Sequence, residues 1–105
     1  METISRRIED LLAFHSVAIE GGFTAAANSL ATSKALLSKQ VQRLEAHLGV
    51  DLFKRSTRSV RLTDEGVALL EYTRRIFALS EEAGKKLREL QSGEQGLVRI
   101  STTVS

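Results

Sequence analysis

The chain has no cysteine, which removes a disulfide framework, a thiolate nucleophile and a cysteine-ligated zinc site together. Its two histidines, His15 and His47, are far apart and make a poor start for any other metal site. No window holds the roughly eighteen uninterrupted apolar residues of a membrane span, and the opening METISRRIED is charged where a signal peptide would turn apolar. No membrane partner is expected, and a cytoplasmic location is the default. A glycine-rich phosphate loop is also lacking, because Gly21 and Gly22 stand without the lysine and spacing of a nucleotide site. His15 falls on the apolar face of a helix, the usual place of a core histidine, and His47 falls in a last helical turn, where a cation suits the helix dipole. Neither has a plausible chemical neighbour. No catalytic residue, cofactor or metal ligand is therefore expected, and an enzyme is not the expected reading.

What is present fits one soluble domain with a real core: 105 residues, 42% hydrophobic and 27% charged. The formal net charge of +2 conceals an asymmetry. Between Lys34 and Arg61 stand seven basic residues (Lys34, Lys39, Arg43, Lys54, Arg55, Arg58, Arg61) against two acidic ones, Glu45 and Asp51. Outside that block the acidic residues outnumber the basic ones. A concentrated positive block on a nearly neutral chain suits a protein that meets a polyanion with one face. A merely solvated charged face would carry the same charge.

Helical periodicity dominates the first 48 residues. Ile4, Ile8, Leu11, Leu12, His15, Ala18 and Ile19 recur at spacings of three and four, and Phe14 with Val17 widens the apolar arc. This predicts a helix over about 5–20 that buries against two bodies, the local core and something else. Gly21 and Gly22 end it. Thr24 reads as the N-cap of a short second helix running to about Leu30, and Ser33 as the N-cap of a third from Lys34 to His47. In the third helix Leu37, Val41, Leu44 and Leu48 form one stripe, while Ala35, Ser38, Lys39, Gln42 and Arg43 fall toward the other side. A tight connection followed by a helix with a basic outer face describes a helix-turn-helix. Periodicity alone leaves an ordinary three-helix core open.

After Gly49 the pattern predicts two short strands, 52–55 and 60–62, around a turn of small polar residues that carries Arg58. This hairpin reads as a wing. Thr63 then caps a last helix, with Asp64 and Glu65 in its first turn. Running to about Gln91, that helix would be about 43 Å long, against about 27 Å for a compact globule of the preceding residues. Leu69, Thr73, Ile76, Ser80, Ala83, Leu87 and Leu90 alternate at spacings of four and three along it. Such a seam predicts a homodimer through the same helix of a second chain. Residues 93–96 read as a hinge and 97–105 as a strand without a sheet to join. The expected organisation is thus mainly α: a winged helix-turn-helix over 1–62, a linker and dimerisation helix over 63–92, and over 93–105 a hinge with the first strand of a truncated domain.

In their order, GGFTAAANSLATS, the helix LLSKQVQRLEAHLGVDLFKR and then VRLTDEGVALL resemble the N-terminal region of LysR-type transcriptional regulators. The likeness spans about Leu11 to Gln91 and continues into GLVRIS. It implies sequence-specific binding of double-stranded DNA at an interrupted inverted repeat by a homodimer. It further implies a small-molecule effector bound by a domain beginning near Leu97, and a tetramer in a full-length protein. By the same resemblance Lys34, Ala35, Leu36, Ser38 and Lys39 meet bases in the major groove, and Gln42 and Arg43 reach phosphate. Thr24 and Ser33 receive phosphate at helix N-termini, Arg58 enters the minor groove, and Lys54, Arg55 and Arg61 touch phosphate or support the wing. These residue types suit those tasks, since lysine donates to guanine, apolar side chains meet the thymine methyl, and helix N-termini bind anions. One departure is that members of the family often carry proline early in the recognition helix, where this chain has Ala35 and Leu36 and no proline anywhere. The alternatives are a MarR-like winged-helix repressor and a winged-helix protein-interaction module.

Overall fold

The computed structural model describes residues 7–54 and 60–92. Its elements run α1 (Ile8–Glu20), α2 (Phe23–Leu30), α3 (Lys34–Leu48), β1 (Phe53–Lys54), β2 (Arg61–Leu62) and α4 (Asp64–Ser92). The chain divides into two compact units, one ending at Arg74 and the other beginning at Arg75. The expected start of the first helix at 5, with Ile4, lies outside the described residues, as do the hinge and strand expected over 93–105.

The first unit is built around α1, α2 and α3. On α1, Leu11, Phe14 and Val17 are buried with Ala13, while Ile8, Leu12 and Ile19 are exposed. The wide apolar arc is thus split: one side enters the core and the other remains at the surface. Gly21 ends α1 in the left-handed conformation at φ 84°, its N–H bonded to the Val17 carbonyl. Thr24 is not the cap of α2. Extended Gly22 takes that position, and its carbonyl accepts from the Ala26 N–H at 3.1 Å, which places Thr24 inside the first helical turn.

The turn between α2 and α3 is closed by the Thr32 N–H to the Ala27 carbonyl at 2.9 Å, with Ala31 left-handed at φ 54°. Ser33 caps α3 as expected, its hydroxyl oxygen accepting from the Leu36 N–H at 3.0 Å. Leu37, Val41 and Leu44 bury into the core, and Leu48 is only partly covered. Phe53 joins them from the hairpin and meets two rings, Phe14 at 5.4 Å and Phe23 at 6.0 Å between centroids.

The hairpin pairs Phe53 with Leu62 and Lys54 with Arg61, antiparallel. Leu52, expected inside the first strand, stands just before it, because its N–H bonds the Glu45 carboxylate instead of the other strand. Arg55 and the turn at 56–59, Arg58 included, lie outside the described residues. Thr63 precedes α4 as its cap: its hydroxyl oxygen accepts from the Gly66 N–H at 3.0 Å while the hydroxyl donates to the Asp51 carbonyl at 2.6 Å.

α1 is pinned to the early part of α4 by a histidine. The Thr73 hydroxyl lies 3.1 Å from the Leu70 carbonyl, which accepts from it, and 2.8 Å from His15 Nδ1, with which it is hydrogen-bonded. Burial, and secondarily the charge of Arg74, hold the His15 pKa below its ordinary value. Among the described residues, no helix is long and apolar enough to cross a membrane.

Candidate nucleic-acid interface

The buried stripe of Leu37, Val41 and Leu44 sets which side of α3 turns inward. By a count of about 100° per residue, Ala35, Lys39 and Arg43 then point most directly outward, flanked by Leu36 and Gln42. All five are exposed. Lys34 is exposed near the flank, while Ser38, expected on the outer side, is half-buried on the flank nearer the core. Ser33 is exposed at the helix N-terminus, where several α3 N–H groups have no partner one turn earlier. Thr24 is exposed on the first turn of α2. The exposed residues are short polar groups, two apolar side chains, Ala35 and Leu36, and cationic groups, a mixture that suits base edges and phosphates.

Arg43 occupies that face but does not have its charge to itself. Its Nε donates to Asp10 Oδ2 at 2.9 Å and its Nη2 to Asp10 Oδ1 at 2.8 Å, a bidentate pair from α3 to α1. Asp10 is buried at 2% exposure. The hydrogen bonds to Asp10 push the Arg43 guanidinium above its already high ordinary pKa. Sequence reasoning missed Asp10, although a signal existed. It lies in phase with Leu11, Phe14 and Val17, and a carboxylate turned toward a core requires a partner.

A second missed residue organises the base of the hairpin. Glu45 is buried, and its Oε2 accepts from the N–H groups of Leu52 at 2.7 Å and Phe53 at 3.3 Å. Thr63 reaches the same segment from the other side, its N–H bonding the Leu52 carbonyl at 3.0 Å and its hydroxyl the Asp51 carbonyl. Gly66 is essential to this approach, because a Cβ there would run into the Leu52 carbonyl oxygen and the Leu62 side chain. α3, the hairpin and the start of α4 are thus locked through residues 51–53.

The hairpin register has an electrostatic consequence. Lys54 and Arg61 are cross-strand partners, and both are exposed. Like charges placed opposite one another destabilise a sheet pair, and a polyanion lying across them would relieve the repulsion. Among the described residues no three His, Asp or Glu side chains gather into a group able to hold a metal.

The expected dimerisation seam is altered by the structure. Thr73 is fully buried in its own unit, hydrogen-bonded to His15, and is removed from the seam. Leu69 is half-buried. In the unit beginning at Arg75, Ile76, Leu79, Leu87 and Leu90 are exposed, with Ala83 and Ser80 exposed beside them. Leu79, which the four-three count passed over, is 62% exposed, and its inclusion turns the centre of the apolar face away from Ser80.

The sequence pattern of bacterial regulatory helix-turn-helix proteins of the lysR family matches residues 8–67. The chain belongs to that family. PtxR of Pseudomonas aeruginosa, an HTH-type transcriptional regulator, is 43% identical over 94 residues, which cover 90% of this chain and 30% of PtxR. The BenM DBD solved with catB site 1 DNA is similar at a TM-score of 0.75 and 31% identity, covering 90% of this chain and 100% of that one. The CbnR DBD in its DNA complex has a TM-score of 0.67 and 42% identity, covering 76% of this chain and 92% of that one. This LysR-family chain spans 31%, 28% and 30% of the length of three of the curated relatives it matches. It carries a LysR-type winged helix-turn-helix DNA-binding domain, and the MarR-like and protein-interaction alternatives fall away.

Proposed function

We propose that this chain is the operator-reading and dimerising part of a LysR-type transcriptional regulator. The outward face of α3, bearing Lys34, Ala35, Leu36, Lys39 and Gln42, enters the major groove, with Ser38 at its edge. Ser33 and Thr24 receive phosphates near helix N-termini. Lys54, Arg55 and Arg61 serve as phosphate contacts or wing supports, and Arg58 enters the minor groove. The observation that supports this reading best is that α3 buries Leu37, Val41 and Leu44 in its own core and leaves exposed a face of cations and short polar groups with Ala35 and Leu36. The BenM and CbnR relatives, solved with DNA, support the same choice of partner.

Two copies associate through the apolar face of α4 carrying Ile76, Leu79, Ala83, Leu87 and Leu90, with Leu69 and Ser80 at its margins. The exposed Ile8, Leu12 and Ile19 of α1 offer a second apolar surface to the partner. The pair places two recognition helices in major grooves about one helical turn apart, or a multiple of it, on an interrupted inverted repeat. A full-length cytoplasmic regulator would add a small-molecule effector domain after α4 and assemble as a tetramer. Selection of bound duplexes from a random pool at two salt concentrations tests the reading. It predicts an enriched inverted repeat and affinity that falls steeply with salt; recovery of an unenriched pool at low salt contradicts it.

A further inference from the structure

The Asp10–Arg43 pair lies on the face of α3 that is otherwise turned outward, yet it is an internal contact. Arg43 follows Lys39 by one helical turn, so an arginine there with its charge unmatched would be a natural ligand for a phosphate. Instead two of its nitrogens face the two oxygens of a carboxylate whose side chain is only 3% exposed, while the Arg43 side chain is 48% exposed. A carboxylate buried to that degree is costly unless paired, so it holds its cation whether or not DNA is present. A duplex approaching α3 meets a neutral pair where the sequence counts a positive charge.

We propose that Asp10 is a positioning residue that withdraws Arg43 from the phosphate backbone and so lowers the sequence-independent part of the affinity for DNA. The proposal rests on the DNA-binding reading above. Non-specific affinity comes almost entirely from neutralised phosphates, whereas operator affinity also draws on base edges. Withholding one cation per protomer therefore lowers the sequence-independent part of the affinity and leaves the base contacts untouched. The same bidentate pair holds α3 against α1, which keeps the base-reading residues of the helix in one orientation.

The test compares the salt dependence of binding to a random-sequence duplex for the parent chain, Asp10→Asn and the double variant Asp10→Asn/Arg43→Gln, with circular dichroism melts to establish that each is folded. The amide of Asp10→Asn carries no charge and releases that of Arg43. Binding should tighten several-fold at low salt, and the slope of log affinity against log salt should steepen by about 0.9 per protomer, the signature of one added phosphate contact. The double variant leaves no buried charge unmatched, and its slope should equal that of the parent. An unchanged slope in Asp10→Asn overturns the proposal. So does a double variant whose slope is shallower than the parent's by about 0.9, because Arg43 would then already neutralise a phosphate. The double variant decides alone if Asp10→Asn does not fold. A parent that binds no duplex even at low salt would overturn the DNA-binding reading itself.

Discussion

α3 and the stretch of α4 beyond Arg74 are both amphipathic helices, and they dispose of their apolar faces in opposite ways. In α3, Leu37, Val41 and Leu44 are consumed by the core of the first unit, and what remains outside is mainly polar and cationic, with Ala35 and Leu36 among it. Beyond Arg74, Leu79, Leu87 and Leu90 remain more than 60% exposed. The contrast separates two kinds of partner. A helix that has buried most of its apolar stripe offers mainly charge and hydrogen bonds, which suit a polyanion. A helix whose apolar residues stay in water has hydrophobic area left to bury, which marks an association surface.

The largest effect should come from breaking the first region where its parts lock together. Gly66→Ala forces a methyl group against the Leu52 carbonyl, and overpacking of this kind costs about 1–3 kcal/mol, or more where backbone must move. Urea unfolding should show that loss, and duplex binding should fall with it because Leu52 also anchors Glu45 of α3. The second region should break independently. Burying Leu87 against another copy is worth about 1.5–3 kcal/mol, so Leu87→Glu should weaken self-association in sedimentation by about tenfold or more, leaving the thermal melt of the first unit in place. An undiminished dimer would reject the α4 face.

The smallest effect sharpens the comparison within the first unit. His15 has a pKa lowered by burial, so below its ordinary value near 6.5 the unfolded chain binds the proton more readily than the folded one. The stabilisation from His15 is therefore present above about pH 6.5 and is lost as the pH falls through the lower folded-state pKa. His15→Gln can still hydrogen-bond to Thr73 and should flatten the decline in stability between about pH 7 and 5. Denaturant midpoints measured across that range check the slope.

Much of this architecture was legible because local rules agree with the packing. Gly21 and Gly49 end their helices in the left-handed conformation, Ser33 caps α3, and the spacing of Leu37, Val41 and Leu44 fixes the buried side. What escaped the sequence was pairing across the fold. Charge counting treated Glu45 and Arg43 as members of one block, but three-dimensional packing gives Glu45 to the N–H groups of Leu52 and Phe53 and gives Arg43 to Asp10. Thr73 fitted a four-three repeat, yet a hydroxyl is compatible with either a seam or a buried hydrogen bond, and His15 decides for the second. Thr24 looked like a cap because threonine favours that position, but extended Gly22 reaches it first.

The central claim is that the outward face of α3 reads base sequence. Titration of Lys39→Ala against a duplex selected from a random pool, and against a random duplex, tests it most directly. The account predicts a loss of about 1–3 kcal/mol on the selected duplex, with relaxed base preference at the contacted position and a smaller loss on random DNA. Equal losses on both duplexes would reduce Lys39 to a phosphate contact, and no loss on either would show that this face does not meet DNA.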